Sequence, residues 1–215
     1  MELRAVWPLL GIRLTTADLE LSPATEADLP GLVDILPDDL DVDPASTRYA
    51  GIDEMANRRA ILAQGYWRAM GLWSPIDWVI PFAVRRDGEL IGMQALEGPE
   101  YGAERTVDSW SWLAKVRRGQ GFGTQMRAAV LELAFGHLGA RAAITSAEIA
   151  NAGSLGVSRS LGYVESHQSV LSHSGATLQH LRLEQGTWAA SGRGRAVRVE
   201  GVGPALPFFG LGQAR

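Results

Sequence analysis

The stretch from Asp108 to Glu165 constrains the fold more than any other. Inside it, Arg118-Gly119-Gln120-Gly121-Phe122-Gly123 sets three glycines ahead of an amphipathic helix. Phe122, Met126, Ala129, Val130, Leu133 and Leu138 recur on one face of that helix. Glycine adopts positive φ and lets backbone approach a ligand closely. A helix start adds unpaired N–H groups and the positive end of the dipole. The loop therefore suits a phosphate or pyrophosphate, or else is a tight strand-to-helix turn. Two nucleotide fingerprints fail here. Gly123-Thr124 has no Lys between its residues, and the third glycine of a dinucleotide loop is replaced by Thr124. The strands ahead of the loop also read as a meander, not as repeated βαβ units.

The rest of the chain reads as support for this stretch. Residues 1–15 look like an extended arm, interrupted at Trp7-Pro8. Leu19 and Leu21 alternate with polar neighbours, as in a short strand. Thr25 is an N-cap candidate, with Glu26 and Asp28 in the first turn of a helix through Leu32 and Ile35 that ends before Pro37. The acidic residues 37–50 form a solvated loop or a substrate wall that attracts a cation. From Ile52 to Leu72 the spacing is helical, and Tyr66, Trp67, Met70 and Trp73 cluster as core or as an apolar pocket wall. Asp87-Gly88 between two apolar runs is a hairpin signal for 78–86 and 89–97, with Pro81 pointing to an edge or a bulge. Residues 165–172 and 177–184 form two more strands around Ser174-Gly175, and 197–199 could add an edge strand. The tail, with Phe208-Phe209, exposes apolar residues that a second subunit could cover.

At 215 residues the chain is read as one domain, 1–215, with an arm (1–15) and a C-terminal loop and tail (191–215). Its net charge of −4 is spread along the chain, against a nucleic-acid binder. The absence of cysteine removes disulfides and thiolate metal sites and fits a reducing, cytoplasmic setting. No apolar run reaches the roughly 20 residues of a membrane span. His137, His167, His173 and His180 match no metal spacing, so no metal is expected.

Arg118-x-x-Gly121-x-Gly123 opens its helix, a strand follows, then Asn151-x-x-Ser154, and Leu161-Gly162-Tyr163 closes the series. In that order the chain resembles the GNAT superfamily of N-acetyltransferases. It is similar at motif level to the RimJ/RimL-type branch, and to a mycobacterial member described as a succinyltransferase. The segments Trp7–Thr16, Val107–Leu113, Gly123–Phe135 and Val197–Gly201 carry the closer likeness. Where that pattern has glycine, this chain has Trp110 and Ala114.

The resemblance implies an α+β (α/β sandwich) fold: a mixed, mostly antiparallel twisted sheet of roughly six to seven strands, flanked by about four helices. A V-shaped splay separates strands four and five, here near Val107–Lys115 and Ala142–Ala147. The resemblance also implies acyl transfer from acetyl-CoA, or another acyl-CoA such as succinyl-CoA, to a primary amine. The coenzyme would lie along Trp112, Leu113, Ala114, Val116, Arg117, Arg118, Gly119, Gln120, Gly121, Phe122, Gly123 and Thr124. Asn151, Ser154 and Ser158 would form its far wall. Tyr66, Trp67, Trp73, Gln94 and Trp110 are the expected acyl or amine pocket. Partners are then acyl-CoA, an amine-bearing acceptor and further copies of the chain, with no nucleic acid and no membrane.

Amine attack on a thioester needs a base, oxyanion donors and an acid for the thiolate. The tyrosine that much of the superfamily places seven residues after the Asn is Ser158 here. Ser154 becomes the acid candidate, with Asn151 beside it among the catalytic candidates, although both also suit a helix cap. Asp108 is the first base candidate, with Glu97, Glu100, Glu104, Asp53 and Glu54 as others. A CoA-binding regulatory module without turnover is the alternative function.

Overall fold

The structure, a computed structural model, describes residues 2–40, 46–172 and 174–212. Residues 41–45 of the acidic stretch and His173 lie outside the described residues. One sheet holds β1 (Arg13–Thr15), β2 (Glu20–Pro23), β3 (Trp78–Arg86), β4 (Glu89–Gly98), β5 (Thr106–Asp108), β6 (Ser111–Leu113), β7 (Ala142–Glu148), β8 (Val164–Val170), β9 (Thr177–Glu184) and β10 (Arg198–Glu200). The order is β10-β1-β2-β3-β4-β5-β7-β9-β8, with β6 also beside β4. Among the described residues only β5 and β7 pair in parallel; the other pairs are antiparallel. The helices are α1 (Leu3–Val6), α2 (Leu29–Asp34), α3 (Glu54–Gly71), α4 (Tyr101–Glu104), α5 (Phe122–Glu132), α6 (Ala152–Ser160) and α7 (Gln185–Ser191). Among the described residues, no helix is long and apolar enough to cross a membrane.

The mixed, mostly antiparallel sheet stands as expected, and its strand count of ten is higher. One extra strand, β1, has three residues, too short for alternation to register, and the edge strand expected at 197–199 is β10, paired beside it. Another comes from the split of 107–115 into β5 and β6. The arm is a correction: residues 3–11 wind as α1 and a 3-10 turn, and Leu9 is buried. The asserted cap is present. Thr25 Oγ1 and Thr25 N both reach Asp28 Oδ2 at 2.8 Å, closing a capping box.

Hairpin β3–β4 forms around Asp87-Gly88, both at positive φ. Pro81 marks neither an edge nor the bulge, which falls between Val84 and Arg85. It lies just past the paired part of β2, and its carbonyl accepts from Ala24 N at 2.7 Å. The N–H that proline lacks would point the same way, toward Ala24, so the sheet gives up one donor there, at the very end of the short strand β2.

The two sheet faces bury different cores. Phe82, Leu96 and Val107 pack under α5 with Phe122, Met126 and Val130. Ala83, Met93 and Trp112 pack on the other face with Leu32, Leu36, Leu62 and Tyr66 from α2 and α3. The tail corrects another expectation. Residues Gly203–Phe209 coil as 3-10 turns and Phe209 is 1% exposed. It packs edge-on against Trp73 and Trp78, while Trp7 meets Phe208 and Trp73 the same way. Phe209 therefore fills this chain's own core and offers nothing to a second subunit.

Candidate functional site

β4 holds β5 and β6 in one register, with Glu97 opposite Asp108 and Gln94 opposite Ser111. On the other side β7 follows β5 only as far as Asp108 opposite Ile144. From Thr145 to Glu148, β7 pairs with β9 alone. β6 and the second half of β7 thus part like the arms of a V. A cleft of about 1650 Å³ fills this opening and continues to α3.

The Gly-rich loop stands at the mouth of the cleft. Gly119 and Gly121 have φ of 72° and 81°, and a Cβ on either would meet nothing within 4 Å. Conformation, not crowding, requires these glycines. Gly121 caps α5; Thr124 N bonds back to the Gly121 carbonyl at 3.2 Å, and the Phe122 and Gly123 amides ahead of it have no helical partner. The uncrowded space over these amides fits a pyrophosphate group. Gly123 packs differently: its Cβ would come 3.3 Å from Val157 Cγ2, so α5 and α6 touch there.

Two cations flank the loop. Arg118 donates to both carboxylate oxygens of Asp39 at 2.8 Å, and Lys115 pairs with Asp38. Arg118 holds the Asp39 carboxyl below its usual range. On the far wall, Asn151 Oδ1 accepts from Ser154 N at 3.0 Å, which caps α6. Both Asn151 and Ser154 line the cleft.

At the inner end, Arg127 of α5 is 3% exposed and donates to Thr145 Oγ1, which donates to the Ser109 carbonyl, each at 3.3 Å. These three residues bridge the point where β6 and β7 part. Beyond them the cleft is walled by Tyr66, Arg68, Asp77, Glu97 and Trp110. The Trp110 indole N–H donates to Glu97 Oε1. Burial pushes the Glu97 carboxyl above the usual carboxylate range, and neighbouring Asp108 and Asp77 add to this against the pull of Trp110. Burial likewise raises Asp108, whose Oδ1 accepts from Ser109 N at 2.6 Å.

Of the expected residues, the structure brings Trp112, Leu113, Arg118, Gly119, Gly121, Gly123, Thr124, Asn151, Ser154, Tyr66 and Trp110 to the cleft wall. Others are placed elsewhere. Ala114 is buried, its N–H bonded to the Ile91 carbonyl. Arg117 turns back to Glu89 at 2.5 Å, and Gln120 donates to the Val116 carbonyl at 3.0 Å. Phe122 anchors α5 in the core under the Arg86 guanidinium. Ser158 is buried, with Oγ donating to the Ser154 carbonyl at 3.1 Å. Trp67 points outward to Glu26 at 3.1 Å, and Trp73 donates to the Phe208 carbonyl within the aromatic core. Gln94 is buried in the sheet, its amide donating to the Ala95 and Trp110 carbonyls. Asp108 stands opposite Glu97 but off the cleft wall.

Arg127 and Thr145 were not anticipated, and the acidic stretch, read as a solvated loop or a substrate wall, turns Asp38 and Asp39 onto Lys115 and Arg118. A cation at 127, three residues before Val130 on an otherwise apolar face, was the one available signal.

Comparison with known proteins agrees with this geometry. The family model described as an acetyltransferase (GNAT) domain matches residues 18–164. Mycobacterium smegmatis RimJ, solved in complex with CoA-disulfide, has the same fold at a TM-score of 0.62 and 19% identity, over 85% of this chain and 93% of that one. A chimera of the Vibrio cholerae spermidine N-acetyltransferase SpeG and hSSAT superimposes at a TM-score of 0.62 and 16% identity, over 80% of this chain and 99% of that one. With the family model spanning most of its length, the chain belongs to the acetyltransferase (GNAT) domain family.

Proposed function

We propose that the protein transfers an acyl group, with acetyl-CoA as the first donor to test, onto a primary amine by direct attack on the thioester. One observation carries this reading: the V between β6 and β7 opens straight onto the glycine loop and the start of α5. A pantetheine arm fits that V while its pyrophosphate meets Gly119, Gly121 and the first-turn amides. Trp112 and Leu113 form the strand side of the channel, and Asn151 and Ser154 the helix side. Ser154 supplies a hydroxyl near the departing sulfur. A thiol with a pKa of about 8.5 leaves with little assistance, which is why Ser158 can stand where the superfamily has tyrosine.

The acceptor side favours a cation. Asp77 and Glu97 line it, and Asp108 lies behind Glu97. The SpeG chimera is named as a spermidine N-acetyltransferase, an enzyme with a cationic acceptor. The proton acceptor is drawn from the Glu97–Asp108 pair. Trp110 narrows this end of the cleft, where the resembled pattern has glycine, and this argues against a bulky acyl chain such as succinyl.

Titration calorimetry with acetyl-CoA and succinyl-CoA, followed by thiol release with an amine panel, tests the reading. Binding of acetyl-CoA with amine-dependent thiol release is expected; absence of binding by either donor overturns it. A second reading, a CoA-binding module without turnover, is favoured by the buried Ser158. It requires binding with no amine-dependent release.

A further inference from the structure

We infer that Glu97 is the group that takes the proton from the acceptor amine, and that Trp110 is the residue that positions it. This rests on the acyl-transfer reading above.

The two carboxylates of the β4–β5 pair stand opposite each other but in different settings. Asp108 spends Oδ1 on the backbone N–H of Ser109, the residue at which β6 leaves β7, and its side chain stays off the cleft wall. That bond fixes the strand at the apex of the V. Glu97 is on the wall, half-buried, and holds one oxygen against the Trp110 indole. The cross-strand bond from Ala95 N to the Trp110 carbonyl at 2.8 Å, and that from Gln94 Nε2 at 3.0 Å, lock the Trp110 backbone. From this backbone the indole N–H reaches one Glu97 oxygen and leaves the other for a substrate.

The surroundings suit a base. Asp108 faces Glu97 from β5 and Asp77 from the turn ahead of β3. Tyr66, Arg58 and Arg68 of α3 line the same cleft, and among the described residues no ion pair joins either arginine to Glu97. Partial burial and two like charges disfavour the ionised carboxylate, which strengthens it as a proton acceptor. The indole donor acts the other way and favours the ionised carboxylate.

The step balances as follows. The acceptor arrives as an ammonium ion and gives one proton to Glu97. The freed nitrogen lone pair bonds to the thioester carbon and the carbon–sulfur bond breaks. The second nitrogen proton goes to the departing thiolate, and Glu97 returns its proton to water. The products are an amide and the free thiol, with one net proton released.

The experiment is a pH profile of kcat/KM for the full chain with acetyl-CoA and spermidine as probe amine, alongside calorimetry of acetyl-CoA. Glu97→Gln is expected to lower kcat/KM by about 10²-fold or more, with acetyl-CoA affinity unchanged and the acid limb of the profile lost. Trp110→Phe keeps the ring and removes the donor. Glu97 then titrates higher, so the acid limb moves to higher pH. A merely structural role for Trp110 would not move it. Asp108→Asn removes a like charge and is expected to move the limb to lower pH. The inference is overturned if Glu97→Gln keeps wild-type activity and its acid limb, or if Asp108→Asn alone abolishes that limb. Absence of acetyl-CoA binding by the wild type overturns the inference together with the function it rests on. Binding and turnover with an indifferent Glu97 overturn the inference alone.

Discussion

The two walls of the cleft are assembled in opposite ways. The donor wall is nearly continuous in sequence: β6, the glycine loop, the start of α5 and the cap of α6 fall between Ser111 and Ser160. The acceptor wall is gathered from distant segments, with Tyr66 and Arg68 from α3, Asp77 and Trp78 at the start of β3, Glu97 from β4 and Trp110 before β6. A continuous wall relies on local backbone conformation. A gathered wall relies on whatever packs its segments together, here the aromatic cluster of the tail behind Trp78 and the second core behind Tyr66. Mutations should therefore separate the two walls by what they damage.

The largest effect is expected at Phe209. It is 1% exposed and packs edge-on against Trp73 and Trp78, and Trp78 in turn lines the cleft. Phe209→Ala removes a fully buried ring and costs about 3–5 kcal/mol. In a chain of this size that is a fall in Tm of roughly 6–20 °C, read by thermal denaturation. The amine KM should rise while acetyl-CoA affinity at low temperature stays near wild type. An unchanged Tm would mean that the tail does not hold the acceptor wall.

The donor wall has its own sensitive point, Gly92 on β4. A Cβ there would lie 2.3 Å from the Trp112 carbonyl and 3.0 Å from Leu113 Cα. Gly92→Ala must push β6 away from β4 and into the V. The expected cost is about 1–3 kcal/mol, with the reverse signature: acetyl-CoA affinity falls by calorimetry more than the amine KM rises. At Gly121 the demand is conformational only, with φ of 81° and open space around the site. Gly121→Ala costs roughly 1–2 kcal/mol of left-handed strain and should weaken acetyl-CoA without touching the acceptor wall. Equal loss at both walls would erase the distinction between them.

The same contrast explains what could be read in advance. The glycine loop, the α5 stripe and the β3–β4 hairpin are local patterns with fixed spacing, so residues 78–98 and 118–138 were legible. The capping box at Thr25 and Asp28 was legible for the same reason. Trp67 was misplaced, and Trp73 follows the core reading and not the pocket one, because helical spacing puts aromatics on a face without saying which neighbour covers it. The tail that buries Trp73 lies more than a hundred residues away, and nothing near Trp73 announces it. The Trp110–Glu97 contact depends on the register of β4 against the following strand, which only the folded sheet defines. Phe122 and Ser158 show a subtler limit. They belong to motif segments, yet their side chains turn into the core and into α6, because a motif that works through its backbone leaves side chains free to pack elsewhere.

The smallest effect is expected at the mouth, where the turn after α2 meets the donor wall. Asp39, just past α2, grips Arg118 through two bonds of 2.8 Å, and Asp38 reaches Lys115. These are the cations beside the glycine loop, so the acidic turn holds them where a phosphate group would. Asp39→Asn leaves the shape but removes the competing charge, and acetyl-CoA affinity should tighten a few-fold at low salt. Exposed pairs of this kind are weak and screened, so the gain should vanish in high salt. The pH dependence has a definite sign. Arg118 lowers the Asp39 carboxyl, so the pairing holds above the usual carboxylate range and is lost as pH falls through the lowered value. In the wild type, affinity should therefore gain slightly as that pairing is lost, and Asp39→Asn should abolish that gain. A weaker Kd in Asp39→Asn at low salt would reverse the assignment, making Asp39 the residue that holds Arg118 ready for the phosphates.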